Sequence, residues 1–145
     1  MQAKDMMTRD VATIGPGGTV RDAARLMVER GVSGLPVIEE ERVIGILSEG
    51  DLVRRTELGT ETSGAWWLVA LADGAARDYR KTHAIAVRDV MSRPVFGVRA
   101  SASLAEIAKL MEARRIKRVP VLEDGKLLGI VTRADLVREL ARRQP

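Results

Sequence analysis

At 145 residues the chain is long enough for one compact body or for two small halves that share a core. An apolar content of 46% with 30% charged residues describes a globular protein, and no hydrophobic run approaches the roughly 20 residues of a membrane-spanning helix, which argues against membrane insertion. The absence of cysteine excludes disulfides and thiolate metal sites, MQAKDMMTRD offers no apolar run for a signal peptide, and a cytoplasmic location is the default expectation.

The formal charge of +4 is unevenly placed: residues 1–86 carry 11 basic and 13 acidic side chains, whereas residues 87–145 carry 13 and 7. The second half is therefore where an anion is drawn. Nucleic acid is one such anion, but the basic residues are interleaved with apolar positions and only four aromatics are present for base stacking. A small phosphorylated ligand fits at least as well.

In chain order, VATI (11–14) reads as a short extended segment and GPGG (15–18) as a loop leading to Thr19, a helix cap. The helix Val20–Arg30 follows, with Val20, Ala23, Ala24 and Met27 on one buried stripe. LPVI, a turn at Glu40 and RVIGIL then read as two strands, the proline implying a strand start or an edge, and a helix begins at Ser48. Residues 55–86 break the pattern: SGAWWLVALADGAARDYRKTHA reads as a helical segment capped by Ser63. Its adjacent Trp66 and Trp67 point about 100° apart on a helix, so both can be core, or one can face a partner subunit. VFGV (95–98), RASA, the cap Ser103, a helix Leu104–Arg114, VPVL, a turn at Asp124-Gly125, KLLGIV and a helix from Thr132 complete the chain.

The second passage repeats the first at an offset of 84 without a gap across fifty residues, pairing Asp5 with Asp89, Met7 with Met91, Pro36 with Pro120, Gly45 with Gly129 and Asp51 with Asp135. Two copies are too few for a solenoid, which needs about three or more units. The expected fold is α+β, mixed α/β: two pseudo-twofold related β-α-β-β-α repeats packed sheet to sheet. The first spans 1–58 and the second 87–145, with a helical insertion at 59–86 between them.

GILSEGDL (45–52), echoed as GIVTRADL (129–136), is the stretch with chemistry in it. Its glycine lets another backbone or a ligand approach the strand, a hydroxyl stands at the strand-to-helix junction, and a carboxylate follows at i+3. Ser48 and Thr132 are helix caps beside N–H groups that could hold a phosphate, and Asp51 and Asp135 could accept hydrogen bonds from a sugar diol. Ser-x-x-Asp and Thr-x-x-Asp are also capping-box patterns that need no ligand. Their appearance twice, each time after Gly-Ile and a Pro-Val strand, makes the motif more specific. An enzyme should show a nucleophile, a base and an orienting group, or a metal cluster; the sole histidine, His83, has no such partners, and no GxxxxGK[ST] loop occurs.

DMMTRD, GVSGLPVI and VIGILSEGDL, repeated as DVMSRPV, IKRVPVL and DGKLLGIVTRADL, resemble two cystathionine β-synthase (CBS) domains in tandem, a Bateman module. The resemblance implies two clefts between paired repeats that take adenosine-containing ligands such as AMP, ADP, ATP or S-adenosylmethionine, with a regulatory rather than catalytic role. Carried over by position, Asp51 and Asp135 match the ribose-binding aspartate, and Ser48 and Thr132 the phosphate-side hydroxyl. Thr13-Ile14 and Gly97-Val98, with Gly34-Leu35-Pro36 and Arg118-Val119-Pro120, match positions that enclose the base or approach the phosphates. Lys117 and Arg118 sit where basic members contact phosphate. The first copy departs there with Ser33 and Gly34, and has Glu49 where the second has Arg133, so two unequal sites are expected. The resemblance also implies a homodimer and an effector in a separate protein, with an adenine nucleotide as regulatory ligand and no catalytic cofactor. A nucleic-acid-binding protein and a ligand-free dimerisation scaffold are the alternatives.

Overall fold

The computed structural model describes residues 1–54 and 85–143; the expected Ser63-capped helix, Trp66, Trp67 and His83 lie outside the described residues. In chain order the elements are α1 (Ala3–Met6), α2 (Val20–Arg30), β1 (Gly34–Glu39), β2 (Arg42–Ser48), α3 (Glu49–Arg54), α4 (Val87–Val90), α5 (Leu104–Arg114), β3 (Arg118–Glu123), β4 (Lys126–Thr132) and α6 (Arg133–Arg142). The strands form two separate two-stranded sheets, β1 with β2 and β3 with β4, in a mixed α+β fold.

The compact units do not follow chain order. One consists of Met1–Val11, Glu40–Val43 and Pro94–Pro145, and the other of Ala12–Glu39 and Ile44–Arg93. Each repeat is thus completed by the short segment that precedes the other repeat. In the unit containing α2, Val20, Ala23 and Met27 pack with Leu35, Val37 and Leu47 of the hairpin, and Val87, Val90 and Met91 close the same core. In the other unit Ile107 and Met111 of α5 pack with Val119, Val121 and Val131, and Ala3 of α1 joins them. The short helices α1 and α4 are not announced by periodicity, because four residues make barely one turn and their stability comes from docking.

The two long helices begin where their caps indicate. Thr19 Oγ1 accepts the Asp22 N–H at 3.0 Å while Asp22 accepts the Thr19 N–H at 3.3 Å, and Ser103 Oγ accepts the Glu106 N–H at 3.1 Å. Their ends differ: Gly31 takes the left-handed conformation at the end of α2, whereas Arg115 takes it at the end of α5. The hairpin turns are also left-handed, at Glu40 and Glu41 in one and at Asp124 and Gly125 in the other.

The prolines lie inside the strands rather than at their starts, as the third residue of β1 and of β3. Pro120 pairs with Ile130 across the hairpin, while its carbonyl accepts the Val98 N–H at 3.0 Å on the other edge. A strand residue's N and C=O point to the same side, so the missing N–H of Pro120 falls on that outer edge. Parallel pairing therefore stops after one bridge, Val98 with Val121, and the same happens between Ile14 and Val37, where the Pro36 carbonyl accepts the Ile14 N–H at 3.1 Å. VATI and VFGV, expected as strands, are reduced to single bridges for this reason.

Gly45 and Gly129 mark the docking of the exchanged segments. Thr8 and Ile130 exchange backbone hydrogen bonds, both 2.9 Å, and Ser92 and Ile46 do the same at 2.8 and 3.2 Å. A Cβ on Gly129 would lie 2.6 Å from the Met7 sulfur and 2.7 Å from the Thr8 carbonyl; on Gly45 it would lie 2.5 Å from the Met91 sulfur. Of the two partners the sequence leaves open for these glycines, the structure supplies a backbone. Gly129→Ala and Gly45→Ala are each expected to lower unfolding stability by about 1–3 kcal/mol in urea titrations, through overpacking. Glu41→Gly is expected to raise it by up to about 1 kcal/mol, by removing the left-handed penalty of a residue with a Cβ.

Candidate functional site

Each hairpin ends in a helix whose first turn holds a buried carboxylate. Ser48 closes β2; its Oγ accepts the Asp51 N–H at 3.1 Å, and Asp51 Oδ2 accepts the Ser48 N–H at 3.0 Å. Thr132 closes β4 in the same way, with its Oγ1 accepting the Asp135 N–H at 3.2 Å and Asp135 Oδ2 accepting the Thr132 N–H at 2.8 Å. Asp51 and Asp135 are 7% and 8% exposed. The capping pattern is therefore realised in both copies. It does not compete with the ligand reading, because one bond to a backbone N–H takes only one of about four acceptor directions of a carboxylate.

The remaining oxygen is held differently in the two units. Asp51 Oδ1 accepts a hydrogen bond from the Ser92 hydroxyl at 2.6 Å. Asp135 Oδ1 accepts one from Arg138 Nη1 at 2.9 Å, a charge-assisted contact whose arginine side chain is 60% exposed. Sequence reading missed both partners. Each left a signal: Ser92 stands opposite Thr8 in the repeat, hydroxyl for hydroxyl, and Arg138 belongs to the Asp-Leu-Val-Arg that closes both copies.

A second backbone contact gathers the residues in which the copies differ. The Arg133 N–H donates to the Lys117 carbonyl at 2.9 Å, and the Glu49 N–H donates to the Ser33 carbonyl at 3.0 Å. With Arg118 in register with Thr132, this places Lys117, Arg118, Thr132, Arg133 and Asp135 at one end of the β3–β4 hairpin. Lys117 and Arg133 are exposed and Arg118 is half-buried. The corresponding end of β1 and β2 gathers Ser33, Gly34, Ser48, Glu49 and Asp51, with no lysine or arginine at the matching positions. Three cations beside a hydroxyl cap can receive an anion; the matching end of the β1–β2 hairpin bears the Glu49 carboxylate in their place.

The other expected site residues lie along the opposite edges of β1 and β3. Ile14 and Val98 are tied by their N–H groups to the Pro36 and Pro120 carbonyls, and Thr13 and Gly97 precede them. Leu35, Pro36, Val119 and Pro120 are fully buried, so their side chains serve the two cores and only their backbone is at the strand edge. Among the described residues no group of three or more His, Asp or Glu side chains could hold a metal ion, and no helix is long and apolar enough to cross a membrane.

The family model of the CBS domain matches the chain twice, over residues 3–57 and 87–142. The chain belongs to the CBS domain family. The protein CBSX2 of Arabidopsis thaliana, a chloroplastic CBS domain-containing protein, is 32% identical over 92% of this chain and 61% of its own length. Its structure, solved in complex with AMP, superposes with a TM-score of 0.72 over 97% of this chain and 96% of the solved one. The CBS domain-containing protein YhcV of Bacillus subtilis is 32% identical over 92% of this chain and 81% of its length. The protein MJ1225 of Methanocaldococcus jannaschii is 30% identical over 94% of this chain, and its structure gives a TM-score of 0.76. This chain spans 61% and 46% of the full lengths of CBSX2 and MJ1225. The fold, with its two small antiparallel sheets, is that of solved CBS domain pairs.

Because Thr132 both caps α6 and anchors Asp135, Thr132→Ala is expected to cost about 1 kcal/mol of unfolding stability without any ligand, with Thr132→Ser close to neutral. Chemical denaturation of the three proteins checks this.

Proposed function

We propose that this CBS pair is a regulatory sensor module that binds adenosine-containing ligands, AMP, ADP, ATP or a similar nucleotide, and signals by a change of conformation or assembly. The observation that carries this reading is the pair of buried, capped carboxylates, Asp51 and Asp135, at equivalent strand-to-helix junctions. The 32% identity to a relative solved with AMP over nearly its whole solved chain supports it. In this reading each aspartate accepts hydrogen bonds from a ribose diol, and Ser48 and Thr132 face the phosphate. Lys117, Arg118 and Arg133 supply the charge that phosphate requires, while Thr13, Ile14, Gly34, Gly97 and Val98 enclose the base. The repeats at 1–58 and 87–145 and the insertion at 59–86 serve as its working divisions. The module is not an enzyme; it acts in the cytoplasm as a homodimer, and its output lies in an effector protein.

Ligand binding shifts the equilibrium between states only as far as the ligand prefers one of them. A preference of this kind is readable as stabilisation: a nucleotide at 100 times its dissociation constant adds about 2.7 kcal/mol. Thermal unfolding with AMP, ADP, ATP, S-adenosylmethionine and NAD is expected to show a raised midpoint with at least one of the adenosine nucleotides. Lys117→Ala is expected to reduce that shift more for ATP than for AMP, because more phosphate charge loses its partner. Unchanged midpoints throughout, together with steeply salt-dependent binding of RNA or DNA, are the result that favours a nucleic-acid-binding protein instead.

A further inference from the structure

The Asp51 carboxylate is fixed by two elements far apart in sequence. One oxygen is held by the backbone of Ser48, three residues away, and the other by the hydroxyl of Ser92, 41 residues away. Ser92 is itself immobilised, since its N–H donates to the Ile46 carbonyl at 2.8 Å and its carbonyl accepts the Ile46 N–H at 3.2 Å. Met91 packs against Gly45 in the same place. The hydroxyl is thus delivered to Asp51 by a doubly bonded backbone rather than by a flexible side chain, and Ser92 is nevertheless exposed. A 2.6 Å O–H···O⁻ contact is at the short, charge-assisted end of the range for such bonds.

We propose that Ser92 is a positioning residue of the Asp51 site, holding the carboxylate in the rotation from which it accepts a vicinal diol; this rests on the reading of Asp51 as a ribose-binding group. The repeat offers an internal contrast. Thr8 occupies the equivalent place, with the equivalent backbone bonds to Ile130, but the corresponding oxygen of Asp135 is held by Arg138. Position 92 thus brings a neutral hydroxyl from the exchanged segment to Asp51, and Arg138 brings a cation from the same helix to Asp135.

The test is isothermal calorimetry with AMP and with 2′,3′-dideoxy-AMP on the full chain and its Ser92→Ala, Ser92→Thr, Asp51→Ala and Ser92→Ala/Asp51→Ala variants, each first compared by its melting midpoint. Ser92→Ala is expected to weaken AMP binding about 3- to 10-fold, the span of one net hydrogen bond. Ser92→Thr should restore it, dideoxy-AMP should be insensitive to the change, and the double variant should bind as Asp51→Ala alone does. A loss that persists with dideoxy-AMP or in the Asp51→Ala background would overturn the proposal, since a merely structural role weakens every ligand alike. Unaltered AMP affinity in Ser92→Ala beside a clear loss in Asp51→Ala overturns it too, and leaves the adenosine-binding reading standing. If the unmodified chain shows no saturable heat with AMP, the adenosine-binding reading falls and the proposal with it; if AMP binds and Asp51→Ala binds it unchanged, the proposal falls while binding at the equivalent Asp135 site stands.

Discussion

The structure depends on two short segments meeting two strands at glycine. Met7-Thr8 lies across Gly129 and Met91-Ser92 lies across Gly45, so close that no Cβ fits between them. Each approach is sealed by a reciprocal pair of backbone hydrogen bonds. These contacts exchange the leading segments, so that neither repeat completes its core from its own stretch of chain. The buried Val87, Val90 and Met91 in one core and Ala3 in the other are the packing side of the same constraint. In physical terms a two-stranded hairpin alone is at best marginally stable, and each borrowed segment adds backbone pairing and apolar cover to the hairpin and its helix.

The site is built on that same junction. Because Ser92 is fixed to Ile46, its hydroxyl reaches Asp51, and because Ser48 and Thr132 end their strands as helix caps, both aspartates are buried with defined geometry. The carboxylate that completes each capping box is also the ligand-binding group in the proposed reading. A group already held by two hydrogen bonds needs little further ordering when a ligand arrives, which is the energetic advantage of preorganisation. The two ends of the molecule's hairpins share this scaffold but differ in charge: Lys117, Arg118 and Arg133 in one, Ser33, Gly34 and Glu49 in the other.

Much of this was legible in the letters. The repeat, the helices Val20–Arg30 and Leu104–Arg114 with their caps, and the capped Asp51 and Asp135 all follow from local patterns, which act over three or four residues and therefore print themselves in sequence. The exchange of the leading segments did not, since an ungapped repeat is equally consistent with either partner. A proline in a strand-like run implies a start or an edge, and Pro36 and Pro120 take the second: they stand third in their strands, and their missing N–H falls on the outer edge. Leu35 and Val119 carry a family position, yet their side chains are sealed in the cores. Ser92 and Arg138 were missed for the opposite reason: one reaches Asp51 across 41 residues, and the other looks like an ordinary exposed arginine.

The central claim is that Asp51 and Asp135 are ligand-binding groups as well as the capping-box partners of Ser48 and Thr132. Calorimetric titration of AMP into the full chain and into an Asp51→Ala/Asp135→Ala variant that retains its helical content tests it most directly. The account predicts saturable heat in the unmodified protein and none in the double variant. Equal binding by both would contradict it, and would leave the two carboxylates as structural partners of the helix caps.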